Sequence, residues 1–173
     1  MALPCQQHFK VMKKESTPMS DPENTLIMET SKGKVTIDLR PDLAPEHVAR
    51  IKELAREEFY DGIVFHRVID GFMAQVGCPN GTGTGGSSKP DLKAEFNAEP
   101  HVRGVCSMAR TNNPNSANSQ FFICFGDATF LDRQYTVWGK VRDDGMEVID
   151  QLNRGEPPRN PDQIVSLRVA ADV

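Results

Sequence analysis

Apolar and polar positions change period along this chain, and the changes mark its elements. Val35, Ile37 and Leu39 alternate with Lys34, Thr36 and Asp38, a period of two that predicts a strand with one buried face. Leu26 to Thr30 precedes it across Ser31-Lys32-Gly33, so the pair reads as a hairpin. From Pro45 to Glu58 the period becomes helical. Val48, Ile51, Leu54 and Ala55 form one apolar stripe, and proline suits the first helical position. Short strands are predicted over Gly104 to Ala109, Gln120 to Phe125, Val137 to Val141 and Ile164 to Val169, with Val165, Leu167 and Val169 on one face. Phe121 and Phe125 read as core, and alternation puts Phe122 on the opposite face. Met146 to Asn153 reads as a short helix with Gly155 in a C-cap position. About eight short strands and two helices, without βαβ alternation, favour a mainly β fold built as a closed antiparallel barrel.

The densest pattern runs from Phe65 to Gly77. Two apolar runs flank Asp70-Gly71, a strong hairpin-turn signal. A two-residue turn sets Arg67 opposite Ala74. A three-residue loop that includes Phe72 sets it opposite Gln75, whose side-chain amide then holds the guanidinium. The pattern leaves the register open. Alternation puts Phe65, Arg67 and Ile69 on one face and makes His66, on the other, structural. An arginine in an apolar strand is either a snorkelling edge residue or a fixed cationic donor beside an aromatic pocket.

Composition narrows the classes. The chain has 173 residues, 38% of them hydrophobic, enough for one domain with a sizeable core. Net charge is -4 and no dense basic block extends beyond Lys13-Lys14, which argues against nucleic acid or a membrane surface as partner. No apolar run is long enough to span a bilayer. Residues 1–22 are polar and aperiodic and read as a flexible extension; without an apolar h-region there, the expected location is the cytoplasm. Cys5, Cys78, Cys106 and Cys124 form no C-x-x-C pair, so no metal site is expected and the thiols should be free. Gly81-Thr82-Gly83-Thr84-Gly85-Gly86 matches the dinucleotide fingerprint in letters, but no helical period follows it, so a surface loop that lets backbone approach a ligand is the better reading. His47 and His101 show no matched nucleophile and carboxylate, Ser116 and Ser119 lie in a polar loop without a G-x-S-x-G elbow, and Trp138 reads as core.

Two motifs remain: Phe65-His66-Arg67-Val68-Ile69-Asp70-Gly71-Phe72-Met73-Ala74-Gln75, and Ser107-Met108-Ala109 with Asn118-Ser119-Gln120-Phe121-Phe122-Ile123. On these the chain resembles the cyclophilin family of peptidyl-prolyl cis–trans isomerases from about Thr25 to Val169, and Ala109-Arg110-Thr111-Asn112 with Tyr135 resembles its bacterial branch. The resemblance implies an isomerase domain over 23–173, an eight-stranded barrel capped by two helices, and a site on its outer surface. It implies Arg67 as catalytic arginine with Gln75 as its positioning partner, and Phe72, Met73, Phe122 and Leu131 as the proline pocket. Ala109, Arg110 and Thr111 would offer backbone to a peptide, Gly83 would sit at the rim, and Gln120, Phe130 and Tyr135 complete the implied substrate surface. Phe130 stands where the family usually has tryptophan, and Tyr135 where histidine is usual. The first change implies weak cyclosporin binding, because an indole N–H is missing. The implied partners are proline-containing peptides and unfolded proteins, bound by a monomer without cofactor. The alternative is a non-catalytic module or chaperone that docks proline segments in the same pocket.

Overall fold

The computed structural model describes residues 21–173, so the extension expected over 1–22 lies outside the described residues except for Asp21 and Pro22. Asp21 caps a short 3₁₀ turn, Pro22–Asn24, through its carboxylate. β1 (Thr25–Thr30) then pairs antiparallel with β2 (Gly33–Leu39). Leu26 faces Ile37 and Met28 faces Val35, and all four are fully buried.

From edge to edge the sheet runs β3 (Arg67–Ile69), β4 (Met73–Val76), β6 (Phe121–Cys124), β5 (Val105–Met108), β7 (Val137–Val141), β2, β1 and β8 (Ile164–Val169), each pair antiparallel. It curls into a half-barrel carrying two helices, α1 (Pro45–Arg56) and α2 (Asp143–Ile149). Among the described residues the expected closed barrel is not formed. β3 is three residues long, and its outer edge is occupied by Gly155, which exchanges both backbone hydrogen bonds with Val68 at 2.8 Å. The segment before β3 meets the start of β8 and the residues before it through a few bonds and no continuous ladder: Gly62 N–H to the Ile164 carbonyl at 2.6 Å, Ile164 N–H to the Ile63 carbonyl at 2.8 Å and Phe65 N–H to the Asp162 carbonyl at 2.8 Å.

Gly155 is therefore not a helix cap. Its φ is +145°, and a Cβ there would lie 2.6 Å from Pro158 Cα, so only glycine fits this approach. α2 starts three residues before the predicted position, because Asp143 and Asp144 suit the positive end of a helix. It ends early because Gln151 and Leu152 switch to i→i−3 bonds. α1 buries His47, Val48, Ile51, Leu54 and Ala55. Its N-cap, Ala44, offers no side-chain acceptor. Glu95 supplies one from a distant loop, accepting from Glu46 N–H at 3.1 Å and His47 N–H at 2.9 Å.

Period-two reading fails at two positions. Phe65 is fully buried in the main core, away from Arg67, because β3 begins only at Arg67. Val165 is half exposed: the β1–β8 register skips it between Ser166 and Ile164, a bulge that turns one residue out.

All four residues of β5 and all four of β6 are buried, so this part of the sheet is covered on both faces, as the Phe121–Cys124 run without polar positions demands. Inward, Phe121 meets Tyr60 and Trp138 edge to face, centroids 5.6 and 5.3 Å apart, and Trp138 is core as expected. Outward, Met73, Phe122, Cys124 and Val137 belong to a second, smaller apolar cluster.

Three histidines give the fold a pH signature. Burial pushes His47, His66 and His101 below their ordinary value of 6.5. A folded value below the unfolded one means stability is lost as pH falls below 6.5, and the carboxylates of Asp61 and Asp162, held low in the fold, add to the loss at still lower pH. The melting temperature should fall from pH 7 to pH 5, by about 2–4 °C per kcal/mol lost in a domain of this size. Thermal circular dichroism measures this, and a flat or rising profile would refute it.

Candidate active site

The hairpin register that sequence left open is settled by its loop. Ile69 pairs with Met73 and Arg67 with Gln75, so the loop is Asp70-Gly71-Phe72, with Gly71 at φ +75°. Gln75 in turn pairs with Phe122 of β6. Arg67, Gln75 and Phe122 thus share the outer face, beside the second apolar cluster.

A directed relay holds the arginine. Gln120 Nε2 donates to the carbonyls of Gly83 and Gly85 at 3.0 and 2.9 Å. Its Oε1 accepts from Gln75 Nε2 at 2.9 Å, and Gln75 Oε1 accepts from Arg67 Nη1 at 3.3 Å. Carbonyls only accept and a guanidinium only donates, so both amides have a single workable orientation. Arg67 Nε also donates to Glu156 Oε2 at 3.2 Å. Sequence reasoning missed Glu156, which lies in the polar stretch after α2 with no pattern to mark it.

Beside the relay is a cavity of about 140 Å³. Phe72, Met73, Phe122 and Leu131 wall it, joined by Tyr135 and Ala109, with Arg67, Gln75 and Arg110 also lining it. Phe122 meets Tyr135 edge to face at 5.8 Å. Arg110 lies 4.5 Å over the Tyr135 ring and donates to the Gln134 carbonyl from Nε and Nη2, so its fork is already committed. A larger groove of about 530 Å³ adjoins and shares Gln75, Ala109 and Arg110. Gly83, Thr111 and Gln120 line this groove. Phe130 lines neither cavity: it is 66% exposed and leans on Phe72 at 5.7 Å.

The glycine loop has no helix after it, so it lacks the context of a dinucleotide site. It is anchored: Asn118 Oδ1 accepts from Ser87 N–H at 2.8 Å, and Cys78 Sγ accepts from the N–H groups of Gly83 and Gly85, both at 3.2 Å. Burial pushes the Cys78 thiol up, but backbone donors of Gly85, Gly83, Asn80 and Thr82 outweigh it and bring it down to about 7. Cys78, Cys106 and Cys124 are free and buried; Cys5 lies outside the described residues.

His66 is buried, with its ring against Gly83, and burial, then the Arg67 charge, lowers its value. His47 pairs with Glu95, Nδ1 to Oε1 2.6 Å. His101 corrects the sequence reading, because it does have a carboxylate and a hydroxyl. Nδ1 is 3.0 Å from Asp132 Oδ1 and Nε2 is 2.9 Å from Ser107 Oγ. His101 and Ser107 are both fully buried, so no substrate reaches this constellation as a nucleophile. The carboxylate partners carry no local signal because they lie 48 and 31 residues away in sequence; Ser107 is only six residues from His101 but on a buried strand.

Comparison with known proteins bears on the family and the fold. Residues 25–169 match the family model described as cyclophilin type peptidyl-prolyl cis-trans isomerase/CLD. A probable peptidyl-prolyl cis-trans isomerase of Brucella suis biovar 1 is 51% identical, covering 91% of this chain and 88% of the relative. A peptidyl-prolyl cis-trans isomerase of Synechococcus elongatus is 42% identical over 84% of this chain and 96% of its own length. Among solved structures, cyclophilin AquaCyp293 from Hirschia baltica superposes with a TM-score of 0.82 at 35% identity, covering 88% of this chain and 76% of that one. A Cryptosporidium parvum cyclophilin type isomerase, solved in the presence of the dipeptide Ala-Pro, gives 0.77 at 25% identity, covering 84% and 98%.

The Cys78 environment is directly measurable. The difference in 240 nm absorbance between the parent protein and Cys78→Ala should titrate with a midpoint near 7. A midpoint near 9, the ordinary thiol value, would show that the loop donors do not hold the sulfur.

Proposed function

The chain belongs to the cyclophilin family of peptidyl-prolyl cis–trans isomerases, and from that premise we propose that Arg67 catalyses rotation about X–Pro bonds by donating a hydrogen bond to the twisted amide nitrogen. The observation that carries this reading is the relay ending on Arg67 beside a cavity walled by Phe72, Met73, Phe122 and Leu131. Amide planarity comes from conjugation of nitrogen with carbonyl, and the rotation barrier is about 18–20 kcal/mol. At the twist the proline nitrogen regains its lone pair and accepts a hydrogen bond. A donor held in advance at that point binds the twisted amide better than the planar one. No bond is broken, so the reading needs no nucleophile. Gln75 and Gln120 keep Arg67 aimed. Phe72, Met73, Phe122 and Leu131 clamp the proline ring, leaving the acyl side to turn. Ala109, Arg110 and Thr111 offer backbone to the peptide along the adjoining groove, with Gly83 at its rim.

The substrates in this reading are proline-containing segments of peptides and unfolded chains. That the Cryptosporidium parvum relative was solved with Ala-Pro present supports the class. A module that only docks proline segments needs the apolar walls alone. The Gly83–Gln120–Gln75–Arg67 relay favours the catalytic role for Arg67, because docking gives it nothing to do.

Loss of Arg67 should fall on rate more than on affinity. Arg67→Ala should keep its fold, since the side chain packs in no core, and should slow isomerisation by about 10²-fold or less, the low end for one preorganised donor because only a lone pair is exposed. Phe122→Ala should weaken peptide binding and lower the melting temperature, because it removes a buried wall. Glu156→Gln should change the rate by less than about fivefold, since an exposed ion pair contributes only about 0–1 kcal/mol. Exchange NMR on an X–Pro peptide reads affinity and rate from one sample. Parental turnover in Arg67→Ala would remove its catalytic role, and a parent that binds without accelerating exchange would favour the docking module.

Phe130 sets a second expectation. Its ring is exposed and carries no N–H, so cyclosporin should bind weakly, and Phe130→Trp should tighten it by about a few-fold to tenfold, the worth of one net hydrogen bond. Tight cyclosporin binding by the parent protein, measured calorimetrically, would contradict this.

A further inference from the structure

We propose that His101, which lines neither cavity, is a positioning residue that fixes the walls of the proline pocket from behind. It is fully buried, and every polar atom it carries is tied to a pocket-bearing element. Its N–H donates to Asp132 Oδ1 at 2.7 Å, and its Nδ1 lies 3.0 Å from the same oxygen. Its carbonyl accepts from Ala128 N–H at 2.9 Å. Ala128 and Asp132 flank the 3₁₀ turn Thr129–Leu131, so one residue holds both ends of the turn that brings Leu131 to the cavity. On the other side Nε2 meets Ser107 Oγ at 2.9 Å. Ser107 lies two residues before Ala109 and pairs with Phe122 across β5 and β6. The imidazole itself stacks on the Phe122 ring, centroids 6.1 Å apart and planes 20° from parallel.

The hydrogen bonds also fix the ring's orientation. Asp132 accepts, so Nδ1 carries the proton, and Nε2 takes the Ser107 hydroxyl as its donor. Leu131 sits on a turn outside the sheet ladder and Phe122 on a central strand, and no backbone pairing joins them. His101 is the buried group that links both. Walls fixed before the peptide arrives spare the complex the cost of ordering them, so His101 acts on proline affinity through Phe122 and Leu131 without touching substrate.

This inference rests on the pocket reading above, and its test separates the two. His101→Asn keeps an amide near Asp132 but loses the Ser107 bond and the plane against Phe122. Asp132→Ala, at a partly exposed side chain, releases the turn and carries the same comparison should His101→Asn not fold. Both should raise the Kd for an X–Pro peptide by about three- to tenfold, the scale of immobilising one or two side chains, with the exchange rate of bound peptide changed less. The ring resonances of isotopically labelled Phe122 should shift or broaden in the free protein. Melting curves set the comparison at a temperature where each variant is fully folded. Parental Kd and unmoved Phe122 resonances in the folded variants would overturn the proposal, as would a loss of affinity that vanishes on cooling to full folding. Phe122→Ala runs in parallel. If it binds like the parent, the pocket reading falls and takes this inference with it. If it weakens binding while the other variants do not, only the His101 role is lost.

Discussion

A carbonyl oxygen accepts hydrogen bonds and never donates them, and the site depends on that constraint. The carbonyls of Gly83 and Gly85 accept the Gln120 amide nitrogen, which turns its oxygen toward Gln75, which in turn offers its own oxygen to Arg67. Reversing either amide would set donor against donor at one end and acceptor against acceptor at the other. The direction of a guanidinium on β3 is thus fixed by the backbone of a loop eight or more residues beyond its partner strand's glutamine. The same loop residues turn their N–H groups to Cys78, so one short glycine segment is held from one side and holds from the other.

Double-sided burial explains why there is a pocket at all. A strand that is apolar on alternate positions covers one face, whereas Phe121-Phe122-Ile123-Cys124 has no polar position and must be covered on both. Its inner face meets the main core. Its outer face has only loops and one 3₁₀ turn for cover, and these leave the space between Phe72, Met73, Phe122 and Leu131 unfilled. The cavity is the incompletely covered part of an otherwise ordinary apolar cluster.

Long connections carry much of this site, and buried polar side chains fix them where no ladder does. Glu95 caps α1 from the stretch between β4 and β5. Arg50 on that helix donates to the carbonyls of Pro90 and Asn118. Asn118 gathers Ser87, Lys89 and Asp91. Each tie satisfies polar groups that would otherwise be costly to bury, and each brings together residues far apart in the chain. The open edge follows the same logic: Gly155 covers β3 where a further strand would have closed a barrel.

Sequence by itself determined the element inventory and the faces of most strands, because period is a local property of the chain. Val35, Ile37 and Leu39, the stripe on α1, and the opposed faces of Phe121 and Phe122 were legible for that reason. The Phe65–Gln75 and Ser107–Ile123 motifs carried the family and with it the residues of the small cavity. What tertiary structure decided are the quantities that depend on partners distant in the chain. The hairpin register followed from whether Phe72 joins the loop, which packing against β6 resolves. The half-barrel rather than a closed one followed from Gly155 occupying an edge. Glu156 beside Arg67, Asp132 beside His101, and Glu95 on α1 carry no local signal, since a charged residue outside the regular elements looks the same whether it meets water or a buried partner. Periodicity reports which way a side chain points relative to its neighbours in sequence; only the folded chain supplies what it points at.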